Sequence, residues 1–526
     1  MARARARGAT CTHRCLDANC CHRRFRAGAS RRRRRGRRTM IVPPDINLAA
    51  LGPALALLLS AAVGLIVGTV TRDGRNGGAV AFLGLLVAGL LGAFNLAAAR
   101  EEAFTTFGLQ WSVDAASAGL VLAAIVGAFL AMLSGWDAVR RTGMDRPEYY
   151  PLVLLATTGA VVMLHAGDFV ALLLGLEILS LSVYALSAWR TDEHGSEEAG
   201  MKYFLLGAFA SAILVYGMAL TYGATGAFAF TEIGAALQGG AAGPLALLGG
   251  VFVLVGLAFK VSFAPFHQWA PDVYTGAPTP VTAFMSVVVK VAAFGALLRV
   301  ASEAWAFTLP TLDLMLATLI GTTVIIGNLG ALLQSGAKRM LAYSAVAHAG
   351  YLGLAVLAVG DGLAEPAIVA WYLLAYTLMN GGAFAVLSEI MGDDPHGDHI
   401  EAWEGLGRRR PGLAVAMTIF LLSLAGIPPL AGFFGKALAV QAAFAAGWAE
   451  LAVIALLAAV VAVVYYTRFV WAMWFVRNRK GEVQHSPAAR WAIGLAAAGT
   501  VAMGLFPDLW YGLVQGLETL TVAAGR

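Results

Sequence analysis

The chain has 526 residues, of which 59% are hydrophobic and only 13% are charged. A soluble chain of this length carries about 25% charged residues, so the composition excludes a large soluble enzyme and a disordered scaffold. It indicates a protein whose surroundings are mostly lipid.

The basic character of the chain is confined to residues 1–39. The formal net charge is +6, but residues 1–39 hold 14 Arg and one acid and so carry +13. The remainder has 23 basic residues (37 − 14) and 30 acidic ones (31 − 1) and so carries −7. We expect 1–39 to be an upstream translation outside the mature protein, because Met40 opens a plausible membrane protein by itself. A disordered basic arm and a targeting tail are the alternatives.

The cysteines also lie in that first segment, at Cys11, Cys15, Cys20 and Cys21. A disulfide framework and cysteine-ligated iron–sulfur clusters are therefore excluded from the remaining body. The spacing of these cysteines and of the nearby His13 and His22 matches no standard zinc site, so no metal is expected.

From Met40 onward, apolar runs of about 20 residues recur, each long enough to cross the hydrocarbon core of a bilayer. We count fourteen, roughly at 46–70, 78–98, 112–134, 150–166, 168–189, 199–223, 244–263, 278–300, 309–333, 339–359, 364–391, 411–445, 447–476 and 488–512. No loop is long enough to hold a soluble domain. The pattern predicts one all-α, polytopic membrane domain over 40–526.

Lysine and arginine in short loops predict the orientation of that domain. The loops after the odd-numbered runs hold fifteen of these residues, including Lys338, and the opposite side holds three, including Arg299. This asymmetry places the odd-to-even loops in the cytoplasm and both termini on the outer, periplasmic side of a cell (inner or plasma) membrane. An arginine-rich tail on the outer side violates the same rule, which supports leaving 1–39 out of the working protein.

Ionisable residues inside membrane spans are costly and are functional candidates. Glu177 lies centrally in the fifth run and Lys290 centrally in the eighth, while Lys260 and Lys436 lie in the seventh and twelfth. Opposite charges at similar depth predict an ion pair, with Glu177 and Lys260 as its best candidates. A buried lysine poised between charged and neutral forms suits a proton relay.

Two histidines and one further lysine extend this set. His267 follows Lys260 by seven residues and shares its helix face if the helix continues, and His348 lies within the tenth run. Lys202 lies near the start of the sixth run, where an interfacial anchor is an equally good interpretation. Lys338 is assigned to a cytoplasmic loop.

Helix breakers accompany two of the lysines. Pro265 follows Lys260 in the seventh run, and Pro428 and Pro429 precede Lys436 in the twelfth. Interrupted backbone in a membrane is tolerated where it is buried in protein or lines a polar cavity, and paired interruptions indicate a transport site. Each broken helix is the fourth of five, in helices 4–8 and 9–13, which predicts two inverted five-helix repeats.

The chain resembles a known family over nearly all of 40–526. The stretches that carry the likeness are 175-GLEILSLSVYALSAW-189, 200-GMKYFLLGAFASAILVYGMALTYGATG-226, 259-FKVSFAPFHQWAPDVYTGAPTPVTAFMSVVVK-290, 328-NLGALLQSGAKRMLAYSAVAHAGY-351 and 422-LSLAGIPPLAGFFGK-436. They are similar to the antiporter-like subunits of bacterial NADH–quinone oxidoreductase, respiratory complex I. The block at 259–290 is the most specific.

The resemblance implies a role for each matching residue. Glu177 would be the carboxylate paired with Lys260, Lys290 the central relay lysine, and Lys436 the terminal lysine facing the outer half-channel. The other matches lie on or beside the same polar axis: Lys202, His267 and His348. The family has no redox cofactor, so NADH, flavin, iron–sulfur clusters and quinone are expected in partner subunits.

Two functions remain open from the sequence. The first is a proton-translocating subunit of a redox complex, whose partners are other membrane subunits, including sister antiporter-like ones, and the lipid bilayer. The second is a subunit of a cation–proton antiporter. The absence of an acidic cluster that suggests a sodium site favours protons, and nothing indicates a nucleic-acid partner.

Overall fold

The fold is that of a computed structural model, which describes residues 46–305, 309–391, 397–476 and 486–514. The segment 1–39, and with it the expected start at Met40, lies outside these residues. The first helices are α1 (Leu48–Thr71), α2 (Gly74–Ala99), α3 (Ala115–Arg141), α4 (Tyr149–His165), α5 (Phe169–Ser187) and α6 (His194–Thr225). Several of them are capped by an Asn or Asp whose side chain accepts a hydrogen bond from a backbone N–H of the first turn, as at Asn47, Asp114 and Asp168.

The middle of the chain is helical too, with α7 (Phe230–Ala236), α8 (Pro244–Val261), α9 (Trp269–Gly276), α10 (Thr279–Phe284), α11 (Lys290–Arg299), α12 (Pro310–Leu332) and α13 (Ala337–Gly360). Three π-helical segments lie at Leu237–Ala241, Met285–Val289 and Val300–Trp305. The last two join α10 and α11 into one run that ends at Trp305. The remaining helices are α14 (Pro366–Met391), α15 (Ile400–Trp403), α16 (Leu406–Arg409), α17 (Pro411–Ala425), α18 (Ala431–Ala445), α19 (Ala449–Phe475), α20 (Pro487–Leu505) and α21 (Pro507–Val514).

Twelve helical segments within the described residues, the run over 279–305 among them, are long and apolar enough to cross a membrane. Three shorter apolar helices, α4, α17 and α18, add to them. The prediction of an all-α, polytopic membrane protein is confirmed. The count of fourteen spans and the inverted repeats stay predictions.

One small sheet departs from the expected all-helical pattern. Strands β1 (Phe104–Thr106) and β2 (Trp111–Val113) form an antiparallel hairpin between α2 and α3. The third apolar run was expected to begin at 112, but α3 begins at Ala115. The reason is that Asp114 caps the helix, while the aromatic and β-branched residues before it favour a strand.

Burial divides the helices into an inner and an outer group. Every residue from Pro280 to Ala301 is buried, and so is nearly all of α13. Helices α1, α2, α6 and α19 instead expose large apolar side chains such as Ile66, Leu90, Phe209 and Val460. Apolar surface on this scale suits lipid or a membrane partner. The inner group therefore holds its polar side chains away from lipid.

The two helix breaks are built by loops between short helices. The helix carrying Lys260 ends at Val261 and resumes at Trp269, and Pro265 lies in the break. In the other, α17 ends at Ala425 and α18 begins at Ala431, with Pro428 and Pro429 between them.

Gly432 lets α18 pack closely against α17 at the second break, and a larger residue at this position is expected to separate the two helices. A Cβ at this position would clash with the carbonyl oxygen of Ser423, which is a backbone atom and cannot move aside without shifting the chain. We expect Gly432→Ala to destabilise the protein by about 1–3 kcal/mol or more, because overpacking forces the two half-helices apart. Gly412→Ala is the matched control, since nothing lies within 4 Å of its added Cβ. Thermal melting of the purified protein measures both, and an equal melting temperature for the two variants would contradict this reading.

Candidate functional site

Lys260 lies at the end of α8 and bonds to hydroxyls of α5. Its Nζ donates to Ser180 Oγ at 2.6 Å and to Tyr184 OH at 3.3 Å, and the side chain is 4% exposed. Ser180 is one turn along α5 from Glu177 and so shares its face. The lysine therefore reaches the hydroxyl groups on that face of α5.

The predicted ion pair between Glu177 and Lys260 is not formed. Among the described residues, Glu177 has no ion-pair partner, and its buried Oε1 has no hydrogen-bond partner. The physical reason is that Ser180 and Tyr184, which follow Glu177 by one and two turns, take the ammonium instead. Glu177 nevertheless lies on α5, the same helix that carries the two hydroxyl groups bound by Lys260.

Lys290 is enclosed at the centre of the inner group. Its side chain is 3% exposed, and Nζ donates to the carbonyl oxygen of Ala345 on α13 at 2.5 Å. The same Nζ lies 5.5 Å from the centre of the Tyr376 ring, within the range of a cation–π contact. Its direct partners among the described residues are thus uncharged.

His348 and Lys436 meet at one carbonyl group. His348 Nε2 lies 3.2 Å from the oxygen of Leu424, and Lys436 Nζ donates to the same oxygen at 2.8 Å. Lys436 also donates to the Ala425 oxygen at 3.1 Å, so it binds the carbonyl end of α17. Because α17 stops at the break, these carbonyls have no intrahelical partner and are free to accept.

The tautomer of His348 follows from its two partners. A carbonyl oxygen only accepts, so the Nε2 that faces Leu424 carries the proton. The Nδ1 is then the acceptor, and Tyr372 OH donates to it at 2.9 Å. His348 also lies one turn along α13 from Ala345, the acceptor of Lys290. Lys290, His348 and Lys436 are therefore brought together along α13 and the second break.

Lys202 and His267 lie outside this buried group. Lys202 is half-exposed, and its Nζ bonds to Glu198 at 2.7 Å and to Asp272 at 3.0 Å. Asp272 also accepts from Arg339 at 2.9 Å, which makes a charged cluster at the protein surface. His267 lies in the break after α8, so the helix does not continue to it, and the shared face with Lys260 that a continuous helix would give is not formed.

Lys338 corrects another expectation. The sequence predicts a cytoplasmic loop for it, but it lies in the first turn of α13 and is 4% exposed. Its Nζ donates to the carbonyl oxygens of Thr275 at 3.1 Å and Ala277 at 2.7 Å, at the end of α9. An ammonium on the last carbonyls of a helix is favourable. Gly276, the last residue of α9, and Pro278 after it were the available signal that its carbonyls need a partner.

The sequence predicts that Arg299 is a cation of an outer loop, and this prediction is also wrong. Its guanidinium is buried at the end of α11, where it pairs with Asp114 of α3 and with Glu303 at 3.2 Å. Sequence reasoning also missed Glu389, a buried acid on α14 that accepts from the Ser486 backbone N–H at 3.3 Å. The Arg299–Asp114 pair and the Glu389–Ser486 hydrogen bond each join residues far apart in the sequence.

No group of three or more His, Cys, Asp or Glu side chains within the described ranges is arranged to hold a metal ion. The polar centre consists instead of three buried lysines and one buried histidine, with acceptors that are carbonyl and hydroxyl oxygens. We call this set of Lys260, Lys290, His348 and Lys436 the lysine–histidine axis. Groups of this kind exchange protons, which makes proton transfer the chemistry that the arrangement supports.

Comparison with known proteins points to one family. The model of the family described as NADH:quinone oxidoreductase/Mrp antiporter, transmembrane, matches residues 166–462, a range that contains the whole lysine–histidine axis. The NADH-quinone oxidoreductase subunit N of Deinococcus radiodurans is 41% identical, and the match covers 92% of this chain and 99% of the relative.

Two solved structures have a similar fold. A chain of respiratory complex I from Thermus thermophilus is 38% identical with a TM-score of 0.76, over 88% of this chain and 99% of that one. A chain of the membrane-bound sulfane sulfur reductase, an archaeal respiratory membrane complex, is 27% identical with a TM-score of 0.79, over 89% of this chain and 96% of that one.

Proposed function

The chain belongs to the NADH:quinone oxidoreductase/Mrp antiporter family, and from that premise we propose how its buried charges act. It is a multi-pass, proton-translocating membrane subunit of an NADH–quinone oxidoreductase, of the subunit N type. We propose that protons pass along the lysine–histidine axis while NADH oxidation and quinone reduction occur on cofactors of partner subunits.

One observation carries the proposal. The three lysines of the axis are buried, and none forms an ion pair with a described carboxylate. A buried ammonium without a counter-ion has lost its hydration and gained little Coulomb energy in return. Its protonation therefore responds strongly to any charge that is brought near. This is the property that a proton relay requires.

The other predicted residues take supporting roles in this proposal. Lys202, in the surface cluster with Asp272, receives protons from the aqueous side, and His267 passes them through the first break. Glu177 approaches Lys260 when the subunit is driven, and the ion pair so formed fixes the lysine in its charged state. When Glu177 withdraws, the proton moves on to Lys290, His348 and Lys436.

The energy for this movement comes from outside the chain. Transfer of one charge against a membrane potential costs about 2.3 kcal/mol per 100 mV. We propose that other membrane subunits of the complex, sister antiporter-like subunits among them, deliver it through helix contacts. The exposed apolar faces of α5 and α6 give such subunits, and lipid, a surface to pack against.

Orientation is part of the proposal. We place the odd-to-even loops in the cytoplasm and both termini on the outer side of the cell membrane. Removing the buried Lys338 and Arg299 from the count leaves fourteen loop cations (15 − 1) against two (3 − 1), so the asymmetry remains. We also propose that 40–526 is the translocating unit, and a peptide from 1–39 in the mature protein would contradict this boundary.

Co-purification tests the assignment to a redox complex. The tagged protein, extracted in mild detergent, should bring with it flavin, iron–sulfur clusters and NADH:quinone activity. The alternative function, a subunit of a cation–proton antiporter, predicts a membrane assembly without flavin or iron that exchanges sodium for protons in vesicles. The second result would overturn the proposal.

A further inference from the structure

Helix α14 presents a stripe of polar side chains to the lysine–histidine axis. Tyr372, Tyr376 and Asn380 are spaced by four residues and so lie on one face of the helix, and all three are fully buried. Tyr372 donates to His348, and Asn380 Nδ2 donates to Ser286 Oγ at 3.0 Å. We call these three residues the α14 stripe.

Tyr376 lies between the two ends of the stripe and between two members of the axis. Its ring centre is 5.5 Å from Lys290 Nζ and 5.3 Å from the centre of the His348 ring. On the facing helix, Ser286 precedes Lys290 by four residues across the π-helical segment Met285–Val289. Tyr376 is therefore the stripe residue next to the gap between Lys290 and His348.

Two polar atoms of the stripe are buried without a partner among the described residues. They are the hydroxyl oxygen of Tyr376 and the Oδ1 of Asn380. Ser286 fixes the orientation of the Asn380 amide. Its hydroxyl proton is donated to the carbonyl oxygen of Ala283, so Oγ can only accept from Asn380, and the atom that faces it is Nδ2. Buried polar atoms of this kind are commonly satisfied by internal water. A cation is disfavoured there, because the ammonium of Lys290 lies only 5.5 Å from the centre of the Tyr376 ring.

We propose that Tyr376 and Asn380 are positioning residues that hold water against Lys290, so that protons arrive past Ser286 and leave toward His348. The proposal rests on the relay proposed above. In the outward step, the Lys290 ammonium gives one proton to the water at Tyr376 and becomes a neutral amine. That water passes a proton to Tyr372, whose own hydroxyl proton moves to Nδ1 of His348. The Nε2–H of His348 donates to the carbonyl oxygen of Leu424, which also accepts a hydrogen bond from Lys436.

The test compares proton transfer in the intact complex, reconstituted in vesicles, for Tyr376→Phe, Asn380→Leu and the double variant. Tyr376→Phe removes one hydroxyl group, and Asn380→Leu replaces the polar amide atoms by two methyl groups in the same branched arrangement. We expect each to slow NADH-driven proton uptake about tenfold, the effect of one lost ordered hydrogen bond. The double variant should pump no faster than Lys290→Ala. Asn380→Ser, which keeps an oxygen and leaves room for water, should restore part of the rate.

Matched controls separate the proposal from simple loss of packing. Tyr150→Phe and Asn95→Leu alter a buried tyrosine on α4 and a buried asparagine on α2, away from the axis, and should pump at the wild-type rate. NADH oxidation with ferricyanide reports assembly, and the solvent isotope effect on proton uptake should rise only in the stripe variants. If the double variant assembles poorly, the pumping rate of Tyr376→Phe alone decides the test, because this substitution removes a single oxygen atom and changes the packing least.

The outcomes distinguish this inference from the relay. Wild-type pumping in Tyr376→Phe and Asn380→Leu, together with lost pumping in Lys290→Ala, would overturn the α14 stripe and leave the relay standing. Wild-type pumping in Lys290→Ala as well would overturn the relay itself.

Discussion

A Lys290→Ala variant should assemble into its complex and lose most NADH-driven proton pumping. Lys290 is the buried lysine at the centre of the inner group of helices, and alanine removes its titratable amine. Loss of a positioned proton-transfer group slows the step by about 10²–10⁴-fold. Quenching of a pH-sensitive dye in vesicles that contain the complex measures the pumping rate.

The variant must be separated from a mere packing defect. Val291→Ala is the control, because it removes buried volume at the next position of α11 without changing a titratable group. It should keep wild-type pumping and a slightly lower melting temperature. Equal pumping by the two variants, at equal NADH oxidation with ferricyanide, would show that Lys290 does not transfer protons.

The second large effect is expected on stability, at Arg299. Its guanidinium is buried against Asp114, and both side chains are at most 10% exposed. Removing one partner of a buried ion pair leaves the other charge uncompensated and costs about 3–5 kcal/mol. Arg299→Met should therefore lower the melting temperature strongly and reduce the yield of assembled complex.

A second change should restore much of that loss. Asp114 also caps α3, since its Oδ1 accepts from the Ser117 backbone N–H at 2.9 Å. Asn keeps this acceptor and removes the charge, so Arg299→Met with Asp114→Asn should be more stable than Arg299→Met alone. The remaining partner, Glu303, has a side chain that is 31% exposed and can be hydrated. A double variant no more stable than the single one would show that the pair is not the cause.

The sequence predicts much of the fold because lipid imposes a simple rule on it. A span needs about 20 apolar residues, and both breaks follow from proline, which removes a backbone donor. The same rule identifies Lys290, because a lysine in the middle of an apolar run cannot reach water. These features depend on local sequence, which is why composition and spacing suffice for them.

Contacts between distant segments could not be predicted in this way. Arg299 and Lys338 lie at the ends of apolar runs, where a cation ordinarily reaches the interface. Their burial depends on Asp114, 185 residues before Arg299, and on the Ala277 carbonyl, 61 residues before Lys338. The expected pair of Glu177 with Lys260 does not form for a related reason, because charge alone does not decide the partner of a buried ammonium. The hydroxyls of Ser180 and Tyr184 lie on the same face of α5 and accept from it instead.

The central claim is that the lysines act in series on one proton path. The most direct test is the number of protons pumped per electron in the reconstituted complex, measured for Lys260→Ala, Lys290→Ala, Lys436→Ala and the triple variant. A path in series is cut by any one change, so we predict the same reduced ratio for all four proteins. A ratio that falls stepwise, with the triple variant well below each single one, or that stays at the wild-type value, would contradict it.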